Sequence, residues 1–588
     1  MLAAAMLAAC STSPPPRSPD AALNSLVEEY FERQLELAPM LATAIGDSRY
    51  DDRLDDSTSP GFREKVFGNE QAFLDRALRI DAAKLSPAAR ISHDIFVSER
   101  ELLLAGQKFH EEYMPFNQMT GLPMDLAVYG SGTGPQPFAT AKDYDRFLER
   151  MREFPRWADG AIVLMRSGLA NGITLPRVAM AKVAPQLRDI GSTALEDNIF
   201  WAPIKAMPKE IGAKDRKRIG DAYAAALTRE VLPAYVRLAD FIERDYLPAA
   251  RTTAGWADLP DGQAWYLWRI RQATTMDMPA EEIHRLGLAE VARIRGEMLA
   301  VKEQVGFKGD LDAFFKHLEE DPKFYFTSED ELLGAYRDVK RRIDALLPRL
   351  FADFPKADYE IRPVEQFRAA SAAGASYQAA SADGKRPGIF YINTHNMKAQ
   401  PRFGLETLSL HEASPGHHFQ ISIQQELTDL PRFRRFNGYV SYSEGWALYA
   451  ESIGKELGLF TDPYQWYGRL SDEMLRAMRL VLDTGLHAKG WSREQGIQYM
   501  LDNSSMAESD VIAEVERYIV WPGQALGYKL GQLHISALRA KAEAQLGGAF
   551  DVREFHSQVL RDGALPMNVL TAKIDRWIEA KRPPRAVK

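Results

Sequence analysis

The chain has 588 residues, of which 46% are apolar and 26% are charged, and these values are ordinary for a globular protein. Its net charge of −8 is unlike the net positive charge typical of nucleic-acid-binding proteins, so we predict no nucleic-acid partner. The length alone would suggest several domains, but continuous helical patterning favours one large, mostly α-helical body with two lobes.

The N-terminus is a short apolar segment that ends at Cys10, the single cysteine of the chain. Residues 7–10, LAAC, resemble the lipobox of bacterial lipoproteins, in which the cysteine is lipidated. The segment is too short to span a membrane. We predict a signal peptide over residues 1–10, a Pro/Ser-rich flexible tether over 11–20, and a lipid on Cys10 as the only membrane contact. Ser11 favours the periplasmic face of the outer membrane. The alternative is a chance apolar start followed by a disordered tail, and the missing basic residue leaves the true start codon open.

Helical periodicity dominates from residue 21 onward, and we predict a helical lobe over 21–360 and a catalytic helical lobe over 361–588. A further helix is predicted to start at Pro279. The aromatic, aliphatic and Met stripes at helical spacing are interpreted as core, without chemical roles. They include Leu23, Leu26, Val27, Tyr30, Phe31, Tyr144, Phe147, Leu148, Met151, Leu227, Val231, Tyr235, Leu238, Ile242, Ile283, Val291, Ile294 and Met298.

The sequence texture changes between Phe367 and Asn396, where small residues surround the turn signal DGKRPG. Residues 389–392, IFYI, predict a short strand within a small hairpin or sheet edge. Such a strand could pair with an extended peptide backbone, or be purely structural.

The run HEASPGHH, residues 411–418, is typical of a zinc hydrolase. In the H-E-x-x-H motif, two imidazoles one helical turn apart bind the metal and the glutamate acts as general base. Without Pro415 and Gly416 the run would read H-E-x-x-H. Proline here clashes with the carbonyl of His411 in a regular helix, and glycine permits unusual dihedral angles. The zinc helix, residues 404–420, is therefore predicted to be distorted.

The second histidine ligand has two candidates. We predict His411 and His417 as the ligand pair and Glu412 as the general base. His418 is the alternative, but on a straight helix it would lie about 10 Å above His411, which is long for sharing one ion. His418 is otherwise expected to support the ligands. A histidine cluster without chemical consequence is the competing interpretation.

The third ligand is predicted to be Glu444, in SYSEGWALYAE. A catalytic zinc usually takes three protein ligands and leaves the fourth position to water. Glu451 lies seven residues further along the same helical face. It could be a ligand, could fix the tautomer of a ligand histidine, or could be a solvated helix charge.

Later motifs supply further candidates. The segment WPGQALGYKLG, residues 521–531, starts a helix that presents Tyr528 as a donor to a developing oxyanion, with packing as the competing role. His487 is predicted to support the ligands, on a helix face with Arg476, Arg479 and Asp483 that is either a salt-bridged structural face or part of the cleft wall. The predicted substrate-binding residues are Arg386, Tyr391, Asn393, Tyr518 and Lys529.

Five motifs in order, DGKRPGIFYINT, HEASPGHH, SEGWALYAE, DTGLHAKGW and PGQALGYKLG, resemble a bacterial lipoprotein family long filed as a domain of unknown function, with the signature HExxPGHH. The resemblance covers about residues 20–585. The chain also looks like the gluzincin peptidases, above all the helical group with thimet oligopeptidases, angiotensin-converting enzymes and thermostable carboxypeptidases. This resemblance implies a deep cleft with zinc at its floor and short peptides as substrates. The Pro-Gly insertion departs from those peptidases.

Together these patterns predict a lipid-anchored zinc metallopeptidase of the bacterial envelope, with one Zn²⁺ per chain and a peptide as substrate. One alternative is a zinc hydrolase of another amide or ester. Another is a peptide-binding lipoprotein without catalysis, although an intact Glu412 argues against it. The oligomeric state and the choice between internal and terminal cleavage stay open.

Overall fold

A computed structural model describes residues 18–364, 374–380 and 387–582. The first part of the chain is helical up to residue 346. Its helices are α1 (Pro19–Leu37), α2 (Pro39–Ala44), α3 (Phe62–Leu78), α4 (Pro87–Ala105), α5 (Leu122–Tyr129), α6 (Ala141–Arg152), α7 (Phe154–Asn171), α8 (Arg177–Ser192), α9 (Ala202–Lys205), α10 (Ala213–Ala226), α11 (Leu232–Phe241), α12 (Leu247–Ala249), α13 (Gly262–Thr274), α14 (Ala280–Gln304), α15 (Leu311–Glu320) and α16 (Glu329–Leu346).

The second part adds a small sheet and returns to helix. Its strands are β1 (Tyr359–Pro363), β2 (Ala375–Gln378) and β3 (Gly388–Ile392). Its helices are α17 (Leu405–Glu412), α18 (His417–Glu426), α19 (Arg432–Arg435), α20 (Val440–Ser452), α21 (Gly454–Leu457), α22 (Pro463–Ala488), α23 (Arg493–Asn503), α24 (Glu508–Val520), α25 (Leu526–Leu546), α26 (Val552–Leu560) and α27 (Met567–Lys581). The predicted mostly α-helical fold with a small β element is confirmed.

Local sequence signals explain where many of these helices begin. Ser86 and Ser328 accept hydrogen bonds from the first turns of α4 and α16, and Thr140 forms a capping box with Asp143 at the start of α6. Pro279 caps α14, as the predicted helix start required. The apolar stripes interpreted as core are buried throughout, so this prediction is confirmed.

Residues 213–249 form one continuous helical rod through two π-helical turns, Leu227–Val231 and Ile242–Tyr246. Pro233 and Pro248 are the second residues after these turns. Because proline has no backbone N–H and crowds the carbonyl four residues earlier, a wider turn before it keeps the rod continuous.

The sheet has the order β1-β3-β2, with β1 parallel and β2 antiparallel to β3. The strand predicted at residues 389–392 is confirmed, and all five residues of β3 are buried. However, β3 is the central strand with a neighbour on each side. Its backbone groups are already paired, so the idea that this strand pairs with a substrate backbone is wrong; β2 is the edge strand on that side.

Two large apolar cores hold the helices together. The first unites α6–α11 with α22 and α24, and the second unites α1, α4 and α16 with the sheet and α17–α20, α25 and α27. Both cores combine residues from before and after position 360, so the predicted lobe boundary there stays a prediction. Among the helices of the described residues, none offers a stretch long and apolar enough to span a bilayer.

Candidate metal centre

The Pro-Gly insertion splits the predicted zinc helix into two helices. Helix α17 ends at Glu412 and α18 begins at His417, and residues 413–416 form a tight loop between them. A Cβ at Gly416 would lie 1.9 Å from the carbonyl oxygen of His411 and 2.3 Å from that of Leu410. Only glycine fits there, so the loop can fold back against the end of α17. The single distorted helix expected for residues 404–420 is therefore corrected to two helices.

Helix α20 fastens this loop from the other side. The indole Nε1 of Trp446 donates a hydrogen bond of 2.7 Å to the carbonyl oxygen of Pro415, and both groups are buried. Helix α20 itself is held close to α25, where a Cβ at Gly445 would lie 2.6 Å from the Cα of Gly531. Because neither glycine has a side chain, α20 and α25 approach closely at this point, and Glu444 lies directly beside the contact.

His411, His417 and Glu444 meet at one point, and one ligand atom from each lies within 4.8 Å of the others. Glu444 Oε2 is 3.5 Å from His411 Nε2 and 3.4 Å from His417 Nε2. Bonds of about 2.0–2.1 Å from a tetrahedral zinc would separate two ligand atoms by about 3.3 Å. Both distances from Glu444 to the imidazole nitrogens match this separation, so the three groups can share one zinc ion, and the Glu444 side chain is still 23% exposed.

The second ring nitrogen of His411 is held by a buried carboxylate. Its Nδ1 donates to Glu451 Oε1 over 2.7 Å, and the Glu451 side chain is 1% exposed. This bond presents Nε2 toward Glu444 and His417, which is how carboxylates orient ligand histidines around metals. Burial opposes the charged imidazole, but hydrogen bonds to Glu444 and Glu451 raise the His411 pKa to about 10. The same histidines hold the Glu444 pKa well below its usual range against the effect of burial.

Glu412 is half-buried at the end of α17, directly after His411. Its negative charge acts on both His411 and the buried Tyr336. The side chain therefore lies close to the candidate ligands without belonging to the group that could bind the metal.

His418 points away from this group. It is buried, its Nδ1 lies 2.9 Å from the Tyr377 hydroxyl and 3.3 Å from Ser422 Oγ, and its ring packs against Tyr359. Burial lowers its pKa to about 4, so the ring is neutral. His418 thus ties α18 to the sheet, and Tyr377, which sequence reasoning missed, is its partner.

The two predicted tyrosines lie beside an arginine of α22. Tyr528 is half-buried, with the Arg479 guanidinium 4.4 Å from its ring centroid. The buried Tyr518 hydroxyl donates to Glu514 and accepts a 3.1 Å hydrogen bond from Arg479 Nε. Tyr518 is thus engaged within the protein, whereas Tyr528 is only half-buried.

Lys529 and His487 have structural environments that exclude their predicted roles. Lys529 is fully buried, and its ammonium contacts Glu290, Glu473 and Gln532, so each of its three N–H groups has a partner and none is left for a substrate. His487 is buried too. Its Nδ1 accepts from the Trp256 N–H and its Nε2 donates to the Tyr518 carbonyl, which leaves no nitrogen for a ligand.

The predicted substrate residues near the sheet are mostly enclosed. Tyr391 and Asn393 are buried at the end of β3, and Asn393 Oδ1 accepts from the His395 N–H over 3.1 Å. Arg386 lies outside the described residues.

A separate cavity of about 890 Å³ is bordered by α4, α13 and α25 residues such as Leu102, Gln272 and His534, and its lining includes none of the three candidate ligands.

Comparison with known proteins places the chain among bacterial proteins without an assigned activity. The family model described as "Bacterial protein of unknown function (DUF885)" matches residues 39–574. A crystal structure described as "the putative lipoprotein from Colwellia psychrerythraea" is 32% identical, with a TM-score of 0.84, and the match covers 96% of this chain and 100% of that one. A "putative lipoprotein of unknown function from Shewanella oneidensis" shares the fold at 16% identity, with a TM-score of 0.77 over 94% of this chain and 99% of that one.

The peptidase resemblance receives no comparable support. A "putative oligoendopeptidase F from Bacillus anthracis" superposes with a TM-score of 0.26 at 11% identity, over 87% of this chain and 96% of that one, which is too poor to carry an argument. No curated relative matches the chain. The match over residues 39–574 nevertheless spans most of the sequence, and the chain belongs to the family of bacterial proteins of unknown function called DUF885.

Proposed function

We propose that this protein is a zinc-dependent peptide hydrolase. The observation that carries the proposal is the meeting of His411, His417 and Glu444, with Glu444 Oε2 3.4–3.5 Å from both imidazole nitrogens and Glu412 beside them. Two imidazoles, one carboxylate and an adjacent free carboxylate are what hydrolytic zinc chemistry requires. Glu451 supports the proposal further because it fixes His411 in the tautomer that a metal ligand needs.

The chain's own residues divide the work of hydrolysis. When bound, zinc would polarise the scissile carbonyl and lower the pKa of a water molecule. Glu412 accepts a proton from the attacking water and passes it to the leaving amine. Tyr528 is a half-buried donor for the oxyanion that forms on the carbonyl.

Replacement of Glu412 by Gln tests the catalytic claim. The amide has nearly the same shape and leaves the ligands in place, but it accepts no proton, so peptide turnover should fall by about 10²–10⁴-fold. Peptide hydrolysis and zinc content are measured on the same preparation, with Glu149→Gln as the control at an exposed carboxylate. Parent-level hydrolysis by a zinc-loaded Glu412→Gln variant would refute this mechanism.

Two other functions remain distinguishable by products. A zinc hydrolase of another amide or ester would bind zinc but release no fragments from a mixed peptide library. A peptide-binding lipoprotein would bind peptides with measurable affinity and leave them intact.

We also propose that the protein is anchored in the bacterial envelope through a lipid on Cys10, a position outside the described residues. The name of the Colwellia structure supports this location.

A further inference from the structure

Two arginines on α22 lie beside the candidate metal centre, and the proposed mechanism does not use them. Arg476 and Arg479 are one helical turn apart, and their side chains are only 13% and 7% exposed. We call this pair the arginine face. Burial disfavours the charged form of Arg476, yet the carboxylates of Asp472, Glu451 and Glu444 act on it and raise its pKa. Helix α22 also packs against α17, the helix that carries His411, so the arginine face lies on a helix next to the candidate metal centre.

Both guanidinium groups have unused donors. Arg479 donates through Nε to Tyr518 and through Nη2 to Glu514, each over 3.1 Å, but its buried Nη1 has no hydrogen-bond partner among residues 18–364, 374–380 and 387–582. Arg476 donates through Nη1 to the carbonyl and carboxylate of Asp472, and its buried Nε likewise lacks a partner in the described chain. A buried charged donor without an acceptor is unfavourable, and an acceptor group of a bound ligand would relieve that cost.

On the Arg479 side of the arginine face, positive charge exceeds the carboxylate charge in direct contact with it. Glu514 contacts Arg479 at 3.1 Å and Arg517 at 3.0 Å, so a single carboxylate is shared by two guanidinium groups. An additional anion at this place would be attracted.

The face is also rigid and partly open. The Tyr528 ring packs against the Arg479 guanidinium at 4.4 Å, which fixes the plane of its donors. Tyr528 is half-buried, and the Asp472 side chain is 36% exposed. Such exposure amid close packing is expected at the wall of a recess that solvent can enter. A planar guanidinium held in this way matches the two oxygens of a carboxylate.

We infer that the arginine face binds the C-terminal carboxylate of a peptide substrate, so that the protein removes short fragments from the C-terminus. The inference rests on the proposed hydrolase function and specifies which end of the peptide substrate the protein recognises. A carboxylate held beside Glu444 places a peptide bond close to the chain end next to the metal ligands. Asp and Glu side chains also carry a carboxylate, so the experiment distinguishes a C-terminal carboxylate from a side-chain one.

The test compares three peptides with the zinc-loaded full chain: one with a free C-terminal carboxylate, the same peptide with a C-terminal amide, and the amide with a penultimate Glu. A charge-assisted pair distinguishes the first two by about 10–100-fold in kcat/KM, in favour of the free acid. Mass spectrometry should show loss of short C-terminal fragments from the free acid. The amide with Glu should be as poor a substrate as the plain amide.

Variants of the two arginines then test whether they cause the preference for the free acid over the amide. In Arg476→Gln and Arg479→Gln, the ratio of kcat/KM for acid over amide should fall toward one, mainly through slower cleavage of the acid. Because both rates come from one preparation, partial unfolding cancels in the ratio. Arg237→Gln, at an exposed arginine paired with Asp159, should keep the parent ratio.

Several results would overturn the inference. Equal cleavage of acid and amide by the parent protein refutes it and leaves the proposed hydrolase intact, as does a full rescue of the amide by the penultimate Glu. An unchanged ratio in both arginine variants has the same meaning. Absence of cleavage of all three peptides refutes the hydrolase and the inference together.

Discussion

At the scale of single residues, the two adjacent histidines of the motif have opposite surroundings. His417 Nε2 lies 3.4 Å from Glu444, whereas His418 Nδ1 is engaged by Tyr377 in front of the sheet. His417→Ala should therefore lose zinc with little effect on the fold. His418→Ala should keep zinc but reduce the free energy of unfolding by roughly 2–4 kcal/mol, because a large buried side chain is lost.

Zinc content by mass spectrometry and unfolding of the metal-free forms in denaturant measure these two effects separately. Zinc loss in His418→Ala together with zinc retention in His417→Ala would reverse the ligand assignment.

The His411 pKa predicts a pH dependence of zinc binding. Glu444 and Glu451 raise this pKa to about 10, so the metal-free ring carries a proton at neutral pH that zinc has to displace. The zinc affinity should therefore increase about tenfold for each pH unit between pH 7 and 9. A histidine with an ordinary pKa of about 6.5 would give no further increase above neutral pH.

Competition with a chromophoric chelator measures this slope. Glu451→Gln, which keeps a hydrogen-bond acceptor but removes the charge, should lower the His411 pKa and flatten the dependence. A parent affinity that is constant above pH 7 would contradict the assignment of the proton to His411.

At the scale of elements, the loop between α17 and α18 decides whether the ligands can meet. A methyl group at Gly416 would overlap the carbonyl oxygens of His411 and Leu410, so Gly416→Ala forces the backbone apart. We expect zinc affinity to fall sharply and the free energy of unfolding to decrease by about 1–3 kcal/mol.

Gly220, inside α10, provides the matched control because a Cβ there meets nothing within 4 Å. Gly220→Ala should leave zinc binding unchanged and stabilise the protein by about 0.5–1 kcal/mol, since alanine favours helix. Unaltered zinc binding in Gly416→Ala would show that the loop does not position His417.

At the scale of the whole molecule, membrane attachment is predicted to depend on one residue. Helices long and apolar enough to span a bilayer are absent from the described ranges, and the lipobox-like run ends at Cys10. Cys10→Ser should therefore move the protein from the membrane fraction to the soluble fraction of a bacterial host. Immunoblotting of the two fractions is the measurement, and equal membrane association of both forms would rule out the lipid anchor.

Helical periodicity and motif chemistry determined much of this protein from sequence. The apolar stripes predicted the core because an amphipathic helix has to bury one face. HEASPGHH and SEGWALYAE predicted His411, His417 and Glu444, since imidazole and carboxylate at such positions have few purposes other than metal binding. These conclusions depend on local spacing, which a sequence displays directly.

Tertiary structure alone decided which neighbours each polar side chain has. The sequence predicted Lys529 and His487 as site residues. Packing of distant helices instead buries Lys529 against Glu290 and His487 against the Tyr518 carbonyl. Conversely, the sequence left Arg476 and Arg479 as either a structural helix face or part of the cleft wall, and the fold packs their helix, α22, against α17, which carries His411. The physical reason is that burial and charge pairing arise between residues hundreds of positions apart, and no local pattern records those contacts.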